Sequence, residues 1–161
     1  MSIQSLEISN FRNLQHVSLK PCQGINLIYG ENGGGKTSLI ESIYFLSLGR
    51  SFRSHINQRI IQYGQESFSI FGKTEQDALG VSRGSDGAGK GRLNGQDVSS
   101  ISELASALPV QLINTDVYQL INDGPKFRRE FLDWGVFHVE HGFVNLWKDF
   151  QRALKQRNLA L

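Results

Sequence analysis

The sequence predicts an α/β fold in which a mixed sheet carries a phosphate-binding loop and leads into helices. Three observations support this. A glycine-rich loop, Gly30-Glu31-Asn32-Gly33-Gly34-Gly35-Lys36-Thr37, lies between an apolar run at 25–29 and a helical pattern at 38–46. Short stretches of alternating apolar and polar residues flank this unit. From Lys126 onward, apolar residues recur at intervals of three or four, the helical spacing.

The loop fits G-x-x-x-x-G-K-[ST], the phosphate cradle of nucleoside triphosphatases. The residue types suit that chemistry. Glycines let the backbone curl tightly and turn its N–H groups inward, with no Cβ in the way. A helix starting near Lys36 directs its positive dipole end at a bound anion. Lys36 is placed to meet the β- and γ-phosphates as a point charge, and Thr37 to put its hydroxyl on Mg²⁺. A glycine-rich turn that binds nothing is the alternative, and the strand-then-helix context argues against it. A second match, Gly84-Ser85-Asp86-Gly87-Ala88-Gly89-Lys90-Gly91, lacks both the following hydroxyl and that context, and is expected to be a hairpin loop.

Taken in order, Ile3-Gln4-Ser5-Leu6-Glu7-Ile8 alternates as a half-buried strand, Asn10-Phe11-Arg12-Asn13 turns the chain, and Val17-Ser18-Leu19 resumes the alternation. Ile25-Asn26-Leu27-Ile28-Tyr29 reads as a buried strand entering the loop. The helix after the loop places Leu39, Ile40, Ile43 and Tyr44 on one apolar stripe. Ser54 is a candidate N-cap for a short helix over 55–63, ended by Gly64. Residues 68–71 and 79–82 read as paired strands, and Asn94-Gly95 as a hairpin turn. Ser100-Ile101-Ser102-Glu103 fits a capping box for a helix burying Ile101, Leu104 and Leu108 and ended by Pro109. Val110-Gln111-Leu112-Ile113 reads as a further strand. Helices then carry Phe127, Phe131, Leu132 and Trp134, and finally Phe143, Leu146, Trp147, Phe150 and Leu154. A division at residues 1–115 and 116–161 is expected. The helical pattern runs to the last residue with no cap or polar tail, and a cut rather than a natural terminus is expected there.

A chain of 161 residues with 39% hydrophobic content can bury a real core, and a net charge of +2 gives no bulk attraction to a polyanion. Any further anionic partner must meet a local patch: Arg50, Arg53 and Arg59; Lys126, Arg128 and Arg129; or Arg152, Lys155 and Arg157. The lone Cys22 excludes an intramolecular disulfide and suggests a reducing compartment. No apolar run nears the ~18 residues of a membrane span, and a cytoplasmic protein is expected. His138-Val139-Glu140-His141 lacks metal-ligand spacing, so solvated or capping histidines are expected. No catalytic residue is assigned. Hydrolysis needs an acidic residue ending a second apolar strand, and neither Asp116 after 110–113 nor Asp133 in its helical pattern fits. A small-molecule P-loop kinase or metabolic NTPase, or a DNA- or partner-binding module with a vestigial nucleotide site, are the alternative readings.

These stretches together resemble the RecF family of bacterial DNA repair ATPases, whose heads are similar to ABC and SMC ATPases. The resemblance is carried by Asn10-Phe11-Arg12-Asn13, by residues 30–37, by Gly49-Arg50-Ser51-Phe52-Arg53, by Gly124-Pro125-Lys126-Phe127-Arg128-Arg129-Glu130-Phe131-Leu132-Asp133-Trp134, and by Lys155-Gln156-Arg157-Asn158. It implies an ABC-ATPase-like head with the start of a helical lobe, cut from a chain about twice as long, and two heads sandwiching ATP. It implies ATP and Mg²⁺ as ligands, with Gly30, Glu31, Asn32, Gly33, Gly34, Gly35, Lys36, Thr37 and Ser38 in the ATP loop and Arg12 and Asn13 near the nucleotide. A magnesium-reaching glutamine is implied at a strand end, for which Gln111 is in the strand rather than at its end. Implied partners are DNA (single-stranded or at single/double-strand junctions), RecO and RecR, with RecA loading at gaps and support of the SOS response.

Overall fold

The computed structural model describes residues 2–54, 56–114, 125–140 and 142–160. Two compact units, Met1–Val110 and Gln111–Leu161, are described separately.

The first unit is a sheet with helices against one face. Its strands are β1 (Ile3–Phe11), β2 (Leu14–Leu19), β3 (Ser67–Thr74), β4 (Ala78–Gly84), β5 (Gly89–Leu93) and β6 (Gln96–Asp97), in the order β2-β1-β3-β4-β5-β6. Neighbouring described strands run antiparallel, with Ile8 opposite Ile70 and Ile70 opposite Val81. The alternation in the sequence becomes the two faces of the sheet. Leu6, Ile8, Phe68, Ile70, Leu79 and Val81 are buried on the face that receives helices α1 (Lys36–Leu48) and α2 (Ile101–Ala107). Phe11, Phe45 and Phe68 meet edge to face at the centre, with ring centroids 5.1–6.0 Å apart. Such pairs add to the stabilisation from burying their area.

Turn chemistry follows the sequence closely. Asn94 (φ 53°) and Gly95 (φ 83°) turn β5 into β6, as the two left-handed central residues of such a hairpin require. The second glycine-lysine match is the β4–β5 hairpin, where Gly84 N–H donates to the Ala88 carbonyl at 2.8 Å. Arg12 and Asn13 form the two-residue link between β1 and β2. The capping box at α2 is present, with the Glu103 carboxylate accepting from the Ser99 and Ser100 N–H groups at 3.0 and 3.1 Å.

Four expectations are corrected. Residues 25–29 form no strand: Ile25, Leu27 and Tyr29 are 94%, 82% and 84% exposed. Their composition favours a strand, yet a two-sided strand needs neighbours on both edges, and no described strand pairs with them. Helix α1 fully buries Ser38, Glu41, Ser42, Phe45, Leu46 and Ser47, while of the expected stripe Leu39 and Ile43 are partly buried against the core, Tyr44 is half-buried and Ile40 is exposed. Hydrogen bonds make the polar face tolerable inside: Ser42 Oγ donates to the Leu39 carbonyl and Ser47 Oγ to the Leu108 carbonyl, both at 2.7 Å. Within 55–63 only a single 3₁₀ turn forms, at Asn57–Arg59, because Ile60 and Ile61 enter the core and Phe11 bridges to Ile61; His55 lies outside the described residues. Residues 110–113 form no strand either, and Ile113 is exposed. Leu104 and Leu108 are buried as expected, whereas Ile101 is half-exposed and covers Gly49. Gly49 ends α1 in a left-handed conformation (φ 61°).

In the second unit, α3 (Pro125–Val139) and α4 (Phe143–Ala160) take up the helical patterns. Trp147 Nε1 donates to Asp133 Oδ2 at 3.3 Å, tying the two helices. His138 is half-buried, with the rings of Trp134 and Phe137 at 4.8 and 4.7 Å. Its burial pushes the imidazole pKa down from 6.5. Asp116 lies outside the described residues. No described helix is long and apolar enough to cross a membrane, and no group of metal-ligating side chains occurs among the described residues.

Phe68→Ala is expected to cost about 3–5 kcal/mol by removing one ring of the central trio, measurable by urea denaturation. The folded state binds a proton at His138 less readily than the unfolded chain. Stability is therefore full above pH 6.5 and declines as pH falls through the lowered folded value. Circular dichroism melts at pH 7.5 and 5.5 should show that decline, and His138→Gln should reduce it.

Candidate nucleotide-binding site

The loop at residues 30–37 is a run of turns ending where α1 begins. Gly30, Gly33 and Gly35 have φ of 143°, 84° and 87°, values that other residues adopt only with strain. Gly35 is restricted twice, since a Cβ there would stand 2.6 Å from Leu14 Cδ2. Gly34 N–H donates to the Glu31 carbonyl at 3.2 Å and closes the turn.

Gly35 is the N-cap of α1, so no side chain caps that end, and its first turn holds no acidic residue. The contrast with the side-chain-capped α2 is informative. The first N–H groups of any helix have no partner within it. At α2 a carboxylate is supplied nearby; at α1 the positive end is left to meet an anion from elsewhere. Lys36 Nζ lies over the loop and donates to the carbonyls of Gly30 and Glu31 at 2.9 and 2.7 Å. Its ammonium is thus already within the cradle. Glu31, Asn32 and Thr37 are exposed. The glycine conformations, the uncapped helix end and the ammonium folded onto the loop fit a polyphosphate, and the exposed Thr37 fits a metal-bound one.

Asn13 reaches the loop directly. Its Nδ2 donates to the Gly33 carbonyl at 2.8 Å, and its Oδ1 accepts from Ser38 Oγ at 2.7 Å. Ser38 is buried and its hydroxyl is engaged by Asn13. Arg12 turns the other way. Its Nε and Nη2 donate to Glu41 Oε2 and Oε1 at 3.1 and 2.6 Å, and its Nη1 donates to the Arg59 carbonyl at 2.6 Å. Arg12, Asn13, Ser38, Arg53, Arg59 and Tyr63 line an open groove. Gln111 belongs to no strand, and its side chain donates to the Leu112 carbonyl at 3.4 Å.

Two residues were missed from the sequence, Glu41 and Ser51. The Glu41 side chain is 0% exposed, and besides Arg12 it receives Ser51 Oγ and, at 3.5 Å, Arg53 Nη1. Ser51 Oγ in turn accepts the N–H groups of Arg53 and Ser54 at 2.9 and 3.0 Å. The available signal is a lone carboxylate in the helical pattern at 38–46, and Ser51 within the stretch 49–53.

Comparison with known proteins fits this geometry. The model of the RecF/RecN/SMC N terminal domain matches residues 2–118. The DNA replication and repair protein RecF of Stutzerimonas stutzeri is 49% identical over 98% of this chain and 44% of its own length. That of Cellvibrio japonicus is 48% identical over 100% of this chain and 46% of its own length. The chain thus spans less than half the length of these curated relatives. A solved structure of the recombination mediator protein RecF with ATP superposes with a TM-score of 0.83 at 27% identity, over 98% of this chain and 44% of that one. A solved SMC ATPase shares the fold with a TM-score of 0.65 at 21% identity, over 83% of this chain and 99% of that one. The chain belongs to the RecF/RecN/SMC N-terminal domain family and is similar to the N-terminal part of RecF, an ABC-like phosphate-loop head.

Proposed function

We propose that this chain binds Mg-ATP through residues 30–37 and serves ATP-dependent DNA binding in recombinational repair and replication restart, as a RecF-like head. The observation that carries the reading is the glycine-capped end of α1, free of acidic side chains, with Lys36 folded over the loop. The similarity to RecF solved with ATP supports the ligand. Residues 1–115 make the nucleotide-binding lobe, and residues 116–161 begin the helical lobe. Thr37 holds Mg²⁺, which neutralises phosphate charge when bound. Asn13 and Ser38 keep the loop in shape, and Arg12 lies beside the groove next to it.

In the longer protein, ATP closes a homodimer that holds DNA at single-stranded gaps or junctions, and hydrolysis releases it. Closure is driven only so far as ATP binds the closed state better. RecO and RecR are the partners, RecA loading and the SOS response the outcome, and the cytoplasm the compartment. No residue here is assigned a catalytic role, so this chain binds Mg-ATP weakly at most and turns it over insignificantly.

Isothermal titration of the chain with Mg-ATP is expected to show weak binding that Lys36→Ala reduces by about tenfold or more, the loss of one charged phosphate contact. Stoichiometric phosphate release by the unaltered chain, abolished in Lys36→Ala, overturns the absence of turnover. Gly35→Ala is expected to lower both affinity and thermal stability, because the new Cβ meets Leu14 at a left-handed position.

A further inference from the structure

We propose that Glu41 is the positioning residue of the phosphate loop, acting through Arg12 and Asn13. The inference rests on the reading of residues 30–37 as a nucleotide loop.

The β1–β2 link is closed by the Phe11–Leu14 pair and by the Arg12 N–H, which donates to the Ile60 carbonyl at 2.7 Å, but these backbone contacts do not orient its side chains. Arg12 has φ 57°, a left-handed conformation that costs a non-glycine residue about 1–2 kcal/mol. Such conformations persist where surrounding contacts over-determine them. The guanidinium adds side-chain contacts, as a two-pronged fork on Glu41 with a third bond to the Arg59 carbonyl. A fork onto a carboxylate fixes orientation as well as distance. The next residue, Asn13, is thereby directed at Gly33 and Ser38.

The loop needs such a tie. Gly33 and Gly35 lie in conformations that glycine enters and leaves freely. The Gly33 carbonyl is held by a side chain from outside the loop, and that side chain is set by the ion pair. Glu41 and Ser38 are three residues apart on α1, so they share one helix face. A closed circuit results: α1 carries Glu41, Glu41 fixes Arg12, Asn13 fixes Gly33, and the loop returns to α1 at Lys36. The loop is thus registered against the helix whose dipole faces the anion. Ser51 Oγ donates to the same carboxylate oxygen, Oε1, that Arg12 Nη2 bonds, and is itself held by the N–H groups of residues 53 and 54.

The test uses the whole chain and compares Glu41→Gln, Asn13→Ala and the two together. Amide hydrogen exchange is read without ligand, and Mg-ATP affinity by calorimetry. In Glu41→Gln the Gly34 amide should exchange about tenfold faster and affinity should fall about tenfold, the scale of one hydrogen bond to a charged group. The β3 and β4 amides should keep their protection. Because both changes cut the same circuit, the double variant should lose no more than the larger single effect. Unchanged Gly34 exchange in Glu41→Gln, or effects that simply add, overturns the proposal. If Glu41→Gln does not fold, Arg12→Leu combined with Glu41→Leu removes the buried charges and the fork together. That variant should fold with a fast-exchanging Gly34, and normal exchange there overturns the proposal. Equal Mg-ATP affinity in the unaltered chain and Lys36→Ala defeats the nucleotide reading instead, while the exchange comparison still decides the role of Glu41.

Discussion

A carboxylate with no solvent exposure is among the most demanding groups a domain can enclose, and the first unit is built around one. Glu41 is tolerated because two arginines and a serine converge on it from separate chain segments. Replacing such a cluster by apolar side chains often leaves stability unchanged, so its stabilising effect alone is a weak explanation for it. Its location is more informative. It lies on the helix that follows the phosphate loop, and it receives the turn that contacts that loop. The polar face of α1, which the apolar stripe in the sequence disguised, is therefore the face that joins the sheet to the site.

Legibility in the sequence divided along physical lines. Local chemistry was readable. Asn94-Gly95 makes its turn from two left-handed residues, Ser100 to Glu103 closes a capping box, and Gly30, Gly33 and Gly35 take left-handed conformations within the loop. What depends on distant neighbours was not readable. Leu39, Ile40 and Ile43 have helical apolar spacing, yet burial went to a stripe of serines, a glutamate and Phe45 because Asn13, Arg12 and Leu108 stood ready to bond them. Ile60 and Ile61 were drawn into the core beside Phe11, which stopped a helix that Ser54 would otherwise start. Arg12 and Asn13 appeared in the sequence as one pair, and the structure separates their tasks: one grips a buried acid, the other the loop.

The helix ends express the same division. Two helices of the first unit begin after small polar or glycine residues, and composition alone suggests similar starts. At α2 the Glu103 carboxylate holds two N–H groups, and those bonds, led by the Ser99 hydroxyl, keep its pKa below the usual 4.5. At α1 no such group is present in the first turn. A helix end closed by its own acid is finished as a structure, whereas one left open beside a lysine has its electrostatics completed by a ligand.

The exposed segment at 25–29 has a bearing on how the chain behaves in a tube. Ile25, Leu27 and Tyr29 present adjacent apolar surface on uncharged, strand-favouring backbone outside any described ladder. Such a segment is a template for strand pairing between molecules. It runs straight into Gly30, the first residue of the phosphate loop. Shielding that strip, by a charged substitution at Leu27 or by a covering strand, would remove the one long uncharged edge beside the loop among the described residues.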